Sequence, residues 1–283
     1  MREASLDLFD LAALEAALAG TVFAGKLHFS PVTDSTNTDA LDAARSGAAH
    51  GSVYFADEQL AGRGRGGHDW HSVEGEGLYV SVLLRPAIPA VRLPLLPLAA
   101  GLAAAEAVHA VAGLTVDLRW PNDILIGPRK AGGILVESKI DGQMAGFAVV
   151  GIGINVHQQD FDSGHSTPAT SLDLESGRHI SRQALLVCLL ESLEREAAGL
   201  ADPAAGLRVP ARVEKASTWI RGRRVEVHGP QACTGVTAGL DEHGFLLVRT
   251  GEGLVTVQTG GIRTTTCESA ATCGETDAFG AQE

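Results

Sequence analysis

A glycine- and arginine-rich segment is the first candidate for chemistry in this sequence. Residues 62–70 read GRGRGGHDW, with four glycines in six positions and no acidic residue before Asp69. Glycine lets the backbone approach a ligand closely, and successive N–H groups together with arginine side chains attract anions. The GxxxxGK[ST] pattern of a P-loop is absent. The segment therefore predicts either a local anion site or a flexible surface loop.

A second group of candidate residues consists of Asn122, Asp123 and Lys130. The first two follow a Trp-Pro dipeptide, which favours extended backbone and then a tight turn between two strands. There they either serve only the turn or reach into a pocket, where a carboxylate can hold Mg²⁺. Lys130 is one of only four lysines and lies just before a glycine pair and a strand. It is therefore either a residue of a ligand site or a solvated surface lysine.

Two further segments offer polar groups to a ligand. Residues 149–156 read VVGIGINV, where a strand leads into GxGxN, but the third glycine of a dinucleotide-binding fingerprint is missing. The alternative is a strand whose glycines admit a ligand, with Asn155 offering an amide to it. Residues 34–37 read DSTN at the start of a predicted helix. They act either as an ordinary helix cap or as hydroxyl and amide groups that bind a small polar ligand.

Together these segments suit a site that activates a carboxylate with a nucleotide. Such chemistry needs cations on a carboxylate and an α-phosphate, and a loop that keeps water from the mixed anhydride. The sequence shows no Ser/His/Asp triad spacing. This chemistry requires no covalent nucleophile. His68 and His71 lack a third ligand nearby, and no cysteines lie at zinc spacing, so we expect no tightly bound metal.

Hydrophobic periodicity predicts the elements that must position these residues. They form an α+β fold with a mixed, largely antiparallel sheet and flanking helices over residues 1–215, then a small β-barrel over 216–263, and a tail over 264–283 whose composition predicts disorder. We expect helices at 6–19, 35–45, 95–112 and 182–199, and strands at 26–32, 52–58, 78–84, 117–120, 124–126, 132–140 and 144–152.

Composition and charge exclude several classes of protein. With 45% hydrophobic residues the chain can build a core, and its net charge of −12 argues against general nucleic-acid binding. The most apolar stretch, residues 93–114, contains two prolines, Glu106 and His109, which favours a buried helix over a membrane span. The acidic N-terminus is unlike a signal peptide, and the four cysteines are typical of a reducing cytoplasm.

Five motifs in this order resemble the biotin protein ligase family, the biotin–[acetyl-CoA carboxylase] ligases. They are DSTN, EQLAGRGRGGHDW, RWPNDILIG, RKAGGILVES and GIGINV, and the resemblance runs from about residue 28 to residue 263. It implies a biotin/lipoate ligase-like catalytic domain followed by a small SH3-like β-barrel. It also implies a two-step reaction, in which biotin and MgATP give biotinyl-5′-AMP and pyrophosphate before biotin passes to a lysine of a biotin carboxyl carrier domain.

The resemblance assigns roles residue by residue. Catalytic roles fall on Lys130, Arg65 and Asp123, and Asp123 is also the candidate for organising Mg²⁺. Contacts with biotin are implied for Ser35, Thr36, Asn37, Gln59, Arg63, Gly64, Arg65, Lys130 and Gly133. Contacts with the nucleotide are implied for Arg63, Arg65, His68, Trp70, Asn122, Lys130 and Asn155.

Two departures from the family pattern affect these expectations. The family loop commonly carries a third arginine where this chain has His68. This departure affects the phosphate contact that the family pattern assigns to this position. Many bacterial members carry an N-terminal DNA-binding module, whereas only 34 residues precede Ser35 here. We therefore expect the monofunctional class, with no DNA partner and no membrane partner, as either a monomer or a homodimer.

Two alternative functions stay open on the sequence alone. A related lipoate or octanoyl ligase or transferase shares the same broad fold, although an acyl-transferring member needs a pocket cysteine and all four cysteines lie at or after Cys188, outside the motifs. A sensor that binds biotin or nucleotide without catalysis is the other alternative, and it is suggested by the His68 departure.

Overall fold

A computed structural model describes residues 8–161 and 167–265 of the chain. The predicted tail therefore lies outside the described residues except for Thr264 and Thr265, as do Cys267 and Cys273. The helices are α1 (Leu11–Ala17), α2 (Thr36–Arg45), α3 (Leu96–Ala112), α4 (Leu172–Ser176), α5 (Arg182–Gly199), α6 (Pro203–Gly206) and α7 (Val209–Lys215). The first seven strands are β1 (Leu27–Thr33), β2 (Ser52–Gln59), β3 (Gly77–Leu84), β4 (Asp117–Arg119), β5 (Asp123–Ile126), β6 (Arg129–Asp141) and β7 (Met144–Asn155). Five more follow: β8 (Arg221–His228), β9 (Cys233–Leu240), β10 (Leu246–Thr250), β11 (Gly253–Val257) and β12 (Gly261–Thr264).

The first seven strands form one mixed sheet in the order β1-β2-β3-β7-β6-β5-β4. Only β1 and β2 pair in parallel, and every other neighbouring pair is antiparallel. The β6–β7 hairpin, closed by a turn at Gly142 with φ of 59°, is longer than predicted because both strands continue past the apolar runs that marked them. This long hairpin forms the centre of the sheet and carries most of the candidate site.

The helix α3 covers one face of this sheet and packs against α5. Its leucines and most of its alanines are buried, and Gly113 ends it in the left-handed conformation, with its N–H donating to His109 O at 2.9 Å. The stretch Ala90–Ala112 is long and apolar enough to span a membrane by length and composition, but 67% of its most apolar window is buried inside the protein. It is the core helix that the sequence predicted.

The last five strands form a separate antiparallel sheet in the order β11-β10-β9-β8-β12. Its strands alternate between buried and exposed residues, as expected of a small domain with one core face. Backbone and side-chain bonds join it to the first domain: Leu118 N–H donates to Ala216 O at 3.1 Å, and Trp120 Nε1 donates to Gly244 O at 3.1 Å. The expected α+β architecture with a small C-terminal β domain is confirmed.

Several predicted elements need correction. Within the described residues α1 begins at Leu11, where Asp10 accepts a hydrogen bond from Ala13 N–H and caps the helix. The short helices α4, α6 and α7 were not predicted, because pieces of four to seven residues show no clear 3.6-residue period. The helix α5, by contrast, has the predicted bounds.

Candidate active site

A pocket opens above the centre of the large sheet, where β3, β6 and β7 form its floor. The N-terminal end of α2 and the loop between β2 and β3 form its walls. Eleven of the residues expected at the site line it: Ser35, Thr36, Asn37, Gln59, Arg63, Gly64, Arg65, Trp70, Asn122, Lys130 and Gly133. The structure thus brings together residues from four separate sequence motifs.

A buried network of hydrogen bonds forms the polar end of the pocket. Thr36 N–H donates to Gln59 Oε1 at 2.9 Å, and the Thr36 hydroxyl lies 2.8 Å from Ser81 Oγ. Ser81 donates to Asn37 Oδ1 at 2.6 Å, and Gln59 Nε2 donates to Ser72 Oγ at 2.7 Å. Donors and acceptors that are already fixed in this way can recognise a small ligand carrying both an amide carbonyl and N–H groups.

Two glycines of β7 make room for side chains of the site. A Cβ atom at Gly151 would lie 2.0 Å from Asn37 Oδ1, and one at Gly153 would lie 2.6 Å from both Cε2 and Nε1 of Trp70. These glycines were expected to admit a ligand. Both glycines line the pocket, so that expectation stays a prediction, and they also let Asn37 and Trp70 pack directly on the strand.

Trp70 lies across the sheet and fills much of the pocket. Its Nε1 is buried and has no hydrogen-bond partner within the described residues, and its ring lies 5.6 Å from Lys130 Nζ. About 50 Å³ of open space remains. Typical small-molecule sites exceed roughly 300 Å³, so a ligand of that size needs more room than this conformation of the loop with Trp70 leaves.

Glu137 holds two walls of the pocket together. Its carboxylate accepts from Asn37 Nδ2 at 2.9 Å and forms an ion pair with Arg63 at 2.6 Å. Arg63 is half exposed, so this pair contributes little to stability but fixes the loop against β6. The sequence did not single out Glu137, because a carboxylate near the middle of a strand gives no local signal.

Arg65 connects the loop to the C-terminal domain. One terminal nitrogen donates to Gly260 O, and the other donates to Thr259 Oγ1 at 3.0 Å. Burial lowers the pKa of Arg65, and the nearby Asp123 opposes that shift, so the guanidinium stays charged. The C-terminal domain therefore takes part in holding a residue of the pocket.

Lys130 belongs to a group of three charges, in which Asp123 and Arg119 are largely buried and Lys130 is partly exposed. Asp123 Oδ1 lies 2.6 Å from Lys130 Nζ, while its Oδ2 accepts from Arg119 Nε at 2.9 Å and from Nη2 at 2.6 Å. Burial raises the pKa of Asp123, but Lys130 and Arg119 together outweigh it and the net pKa is lowered. The amino group of Lys130 is thus held at the pocket by an ionised carboxylate.

The segment 168–180 supports the backbone of Lys130 from the other side. Lys130 N–H donates to Pro168 O at 2.8 Å, and Thr170 N–H donates to Lys130 O at 2.9 Å. Asn155 Nδ2 donates to Thr170 O at 3.0 Å, so its amide holds this segment rather than lining the pocket. The expected contact of Asn155 with nucleotide stays a prediction.

Two other expected residues also lie outside the pocket. His68 is exposed on the loop and only its backbone is engaged, with its carbonyl accepting from Gly64 N–H at 2.6 Å. Asp123 has cations on both oxygens, so it positions Lys130, and a metal role stays a prediction that would require one of these pairs to break. Three residues that the fold brings to the site were not identified from the sequence: Ser81, Glu137 and Arg119.

Comparison with known proteins agrees with this geometry. Residues 29–155 match the Biotin/lipoate A/B protein ligase family, and residues 221–262 match the Biotin protein ligase C terminal domain. The bifunctional ligase/repressor BirA of Bacillus spizizenii is 36% identical over 234 residues, which are 81% of this chain and 70% of that protein. The biotin–[acetyl-CoA-carboxylase] ligase of Mycobacterium tuberculosis is 35% identical, over 81% of this chain and 85% of that protein.

A solved structure is also similar. The biotin protein ligase from Aquifex aeolicus in complex with biotin and ATP superposes with a TM-score of 0.73 and 29% identity, covering 84% of this chain and 98% of that one. Fold and pocket together define a ligase of the biotin/lipoate class. The C-terminal match and the relatives narrow this further, and the chain belongs to the biotin protein ligases. The resemblance and the enzyme class expected from the sequence are confirmed.

Proposed function

We propose that this protein joins biotin to a lysine of a biotin carboxyl carrier domain in two steps that use MgATP. The observation that carries the proposal is the position of Lys130, whose ammonium lies at a pocket with a polar network at one end and apolar walls from Val80, Ile134 and Ile152. Biotin has the matching shape, with an amide-like ring at one end, an apolar chain and a carboxylate at the other end.

In the first step an oxygen of the biotin carboxylate attacks the α-phosphorus of ATP. The bond from that phosphorus to the bridging oxygen of the β-phosphate breaks, and pyrophosphate leaves. Lys130 lies where it can neutralise both anions as they approach, and Arg65 and Arg63 add positive charge from the loop. The loop with Trp70 then covers the mixed anhydride and excludes water.

In the second step the neutral amine of the acceptor lysine attacks the acyl carbon of biotinyl-5′-AMP. The carbon–oxygen bond to phosphate breaks, AMP leaves, and the amine loses a proton to bulk solvent. Asp123 is buried between two cations and has a lowered pKa, which makes it a weak base for that proton. We assign it the positioning of Lys130.

The described residues around Lys130 do not fit a protein-held Mg²⁺ site. Both oxygens of Asp123 are occupied by cations, and Mg²⁺ prefers oxygen ligands including phosphates and water. We propose that Mg²⁺ arrives with the phosphates of ATP. The reaction belongs to the cytoplasm, in line with the unpaired thiols of Cys188 and Cys233.

The test combines the purified chain with biotin, MgATP and a biotin carboxyl carrier domain. We expect pyrophosphate release and a mass increase of the carrier by one biotinyl group, with lipoate giving neither. Transfer of lipoate in preference to biotin would instead establish the related acyl ligase. Binding of biotin and ATP without pyrophosphate release would show a sensor, and either result would overturn the proposal.

A further inference from the structure

Three side chains that match no metal motif in the sequence meet at the end of β7, away from the pocket. His157 Nδ1 lies 2.9 Å from Asp173 Oδ2, and His179 Nδ1 lies 3.2 Å from the same oxygen. One nitrogen of each imidazole and one carboxylate oxygen all lie within 4.8 Å of one another. The two rings stack with centroids 4.2 Å apart.

We propose that His157, Asp173 and His179 form a binding site for a transition-metal ion of the Zn²⁺ type. Zinc binds imidazole nitrogen and carboxylate oxygen at about 2.0–2.2 Å, which in a tetrahedral site places its ligand atoms roughly 3.3–3.6 Å apart. The two separations from Asp173 Oδ2 are a few tenths of an ångström shorter, so the ligand atoms would spread slightly around an ion. Water would complete the coordination, because two imidazoles and one carboxylate provide three of four positions.

The cluster has the support that a metal ligand set needs. Asp173 Oδ1 accepts from Ile180 N–H at 2.9 Å, which fixes the carboxylate with Oδ2 facing both imidazoles. His157 and Asp173 are each only 13% exposed at the side chain, so they present a preformed pair. His179 is 63% exposed and can turn out of the stacked arrangement to direct its nitrogen at the ion.

An ion at this place would fasten α4 to the end of β7. Asp173 N–H already donates to Val156 O at 2.9 Å, directly beside His157. The same 168–180 segment pairs with the backbone of Lys130, so a metal here would stiffen the support of the active-site lysine. The proposed site would be an exception to the expectation of no tightly bound metal, and the fold assembles it from residues 16 and 22 positions apart in the chain.

A hydrogen-bonded cluster without a metal is the competing account. In that case both imidazoles donate an Nδ1–H to Asp173 and no ion is needed. The two accounts differ in a measurable way, because only a metal site gives saturable binding that depends on all three side chains.

The experiment is calorimetric titration of the untagged protein with Zn²⁺, followed by Co²⁺ absorption spectra as a second readout. His179→Ala and Asp173→Asn remove ligands, and His109→Ala on α3 is the matched control because His109 is an exposed histidine remote from the cluster in sequence. We expect one saturable ion in the wild-type protein and in His109→Ala. Mutation of a residue that only hydrogen-bonds to a metal ligand typically lowers metal affinity about 10- to 100-fold. Loss of a ligand itself should therefore weaken binding at least about tenfold.

Thermal unfolding provides an independent check. Saturating Zn²⁺ should raise the unfolding midpoint of the wild-type protein and His109→Ala by about 5 °C, and should raise that of His179→Ala by about half as much or less. The exposed His179 can be truncated without loss of fold, so this variant decides the question even if Asp173→Asn is unstable. Absence of saturable binding at micromolar Zn²⁺, or unchanged affinity in His179→Ala, would overturn the proposal. Neither result depends on the ligase reaction.

Discussion

The ammonium of Lys130 lies 2.6 Å from Asp123 Oδ1 in a group that also contains Arg119. Two cations share one carboxylate, so the group keeps a net positive charge at the pocket. Arg119 in turn packs 5.1 Å from the ring of Trp219, which leads into the C-terminal domain. The position of the active-site lysine therefore depends on contacts that reach across the domain boundary.

Replacing Lys130 by alanine should abolish most adenylation while the protein remains folded. Removing one electrostatic stabiliser of a developing charge typically lowers kcat by about 10²–10³. Asp123 keeps Arg119 as a partner, so the fold does not gain an unpaired buried charge. The measurement is pyrophosphate release in the absence of carrier, with Lys139→Ala, an exposed lysine of the same strand, as the control. Unchanged turnover in Lys130→Ala would show that the assigned role is wrong.

Asp123→Asn should lower both stability and adenylation. The lost carboxylate leaves two cations close together, which should cost about 1–3 kcal/mol of unfolding free energy at pH 7. An acid whose pKa is lowered by folding stabilises the folded state above its ordinary pKa, here 3.8, and that stabilisation disappears as the pH falls through the lowered value. The gap between variant and wild type should therefore be constant near neutral pH and shrink below about pH 4.

Urea unfolding of both proteins from pH 3 to pH 8 measures this gap. The exposed Asp141→Asn in the β6–β7 turn is the control, and it should match the wild type throughout. A gap that widens as the pH falls would contradict the assignment of Asp123 as an ionised partner of Lys130.

The sequence could predict the elements and the candidate motifs, but not how they meet. Gly62 to Trp70, Asn122, Lys130 and the DSTN residues were found because glycine, proline and rare lysine leave local signals. Ser81 and Glu137 leave none, since a serine and a glutamate within strands are common. Their roles come only from the pairing of β3 with β7 and of β7 with β6, which brings them against α2.

The GIGINV motif is a second case in which the sequence did not predict the contacts that its residues make. The glycines indicated a close approach, but the sequence did not show that the approaching groups are Asn37 and Trp70. The motif assigns Asn155 to nucleotide, which stays a prediction, but it did not show that Asn155 Nδ2 donates to Thr170 O, 15 residues later in the chain. Contacts between distant segments decide such cases, and no local pattern contains them.

Gly153→Ala should displace Trp70 from the sheet. The new Cβ would lie 2.6 Å from two atoms of the indole, and crowding of this kind costs about 1–3 kcal/mol. We expect a change in tryptophan fluorescence of the free protein and biotin binding at least about tenfold weaker, because the methyl group also enters the pocket. Gly251→Ala, where a Cβ meets nothing within 4 Å, is the control. Unchanged fluorescence in Gly153→Ala would argue against this position of Trp70.

Arg65→Lys should separate the charge of the loop from its attachment to the C-terminal domain. Lysine keeps the charge, but a single ammonium cannot reproduce the fork that reaches both Gly260 O and Thr259 Oγ1. Loss of one charge-assisted hydrogen bond corresponds to about 1.4 kcal/mol or more, so adenylation should fall roughly tenfold. Thr259→Val removes only one acceptor and should cause a smaller loss, roughly two- to threefold.

The two variants together test whether the C-terminal domain contributes to the first step of the reaction. Single-turnover formation of biotinyl-5′-AMP is the measurement, and Arg45→Lys on α2, whose side chain is 65% exposed, is the control for charge-preserving replacement. A loss in both Arg65→Lys and Thr259→Val means that the contact across the domain boundary holds the loop in its productive position. A loss in Arg65→Lys beside full activity in Thr259→Val would mean that the Thr259 hydroxyl is not needed for the reaction, and that Arg65 acts through its bond to Gly260 O or on the substrate itself.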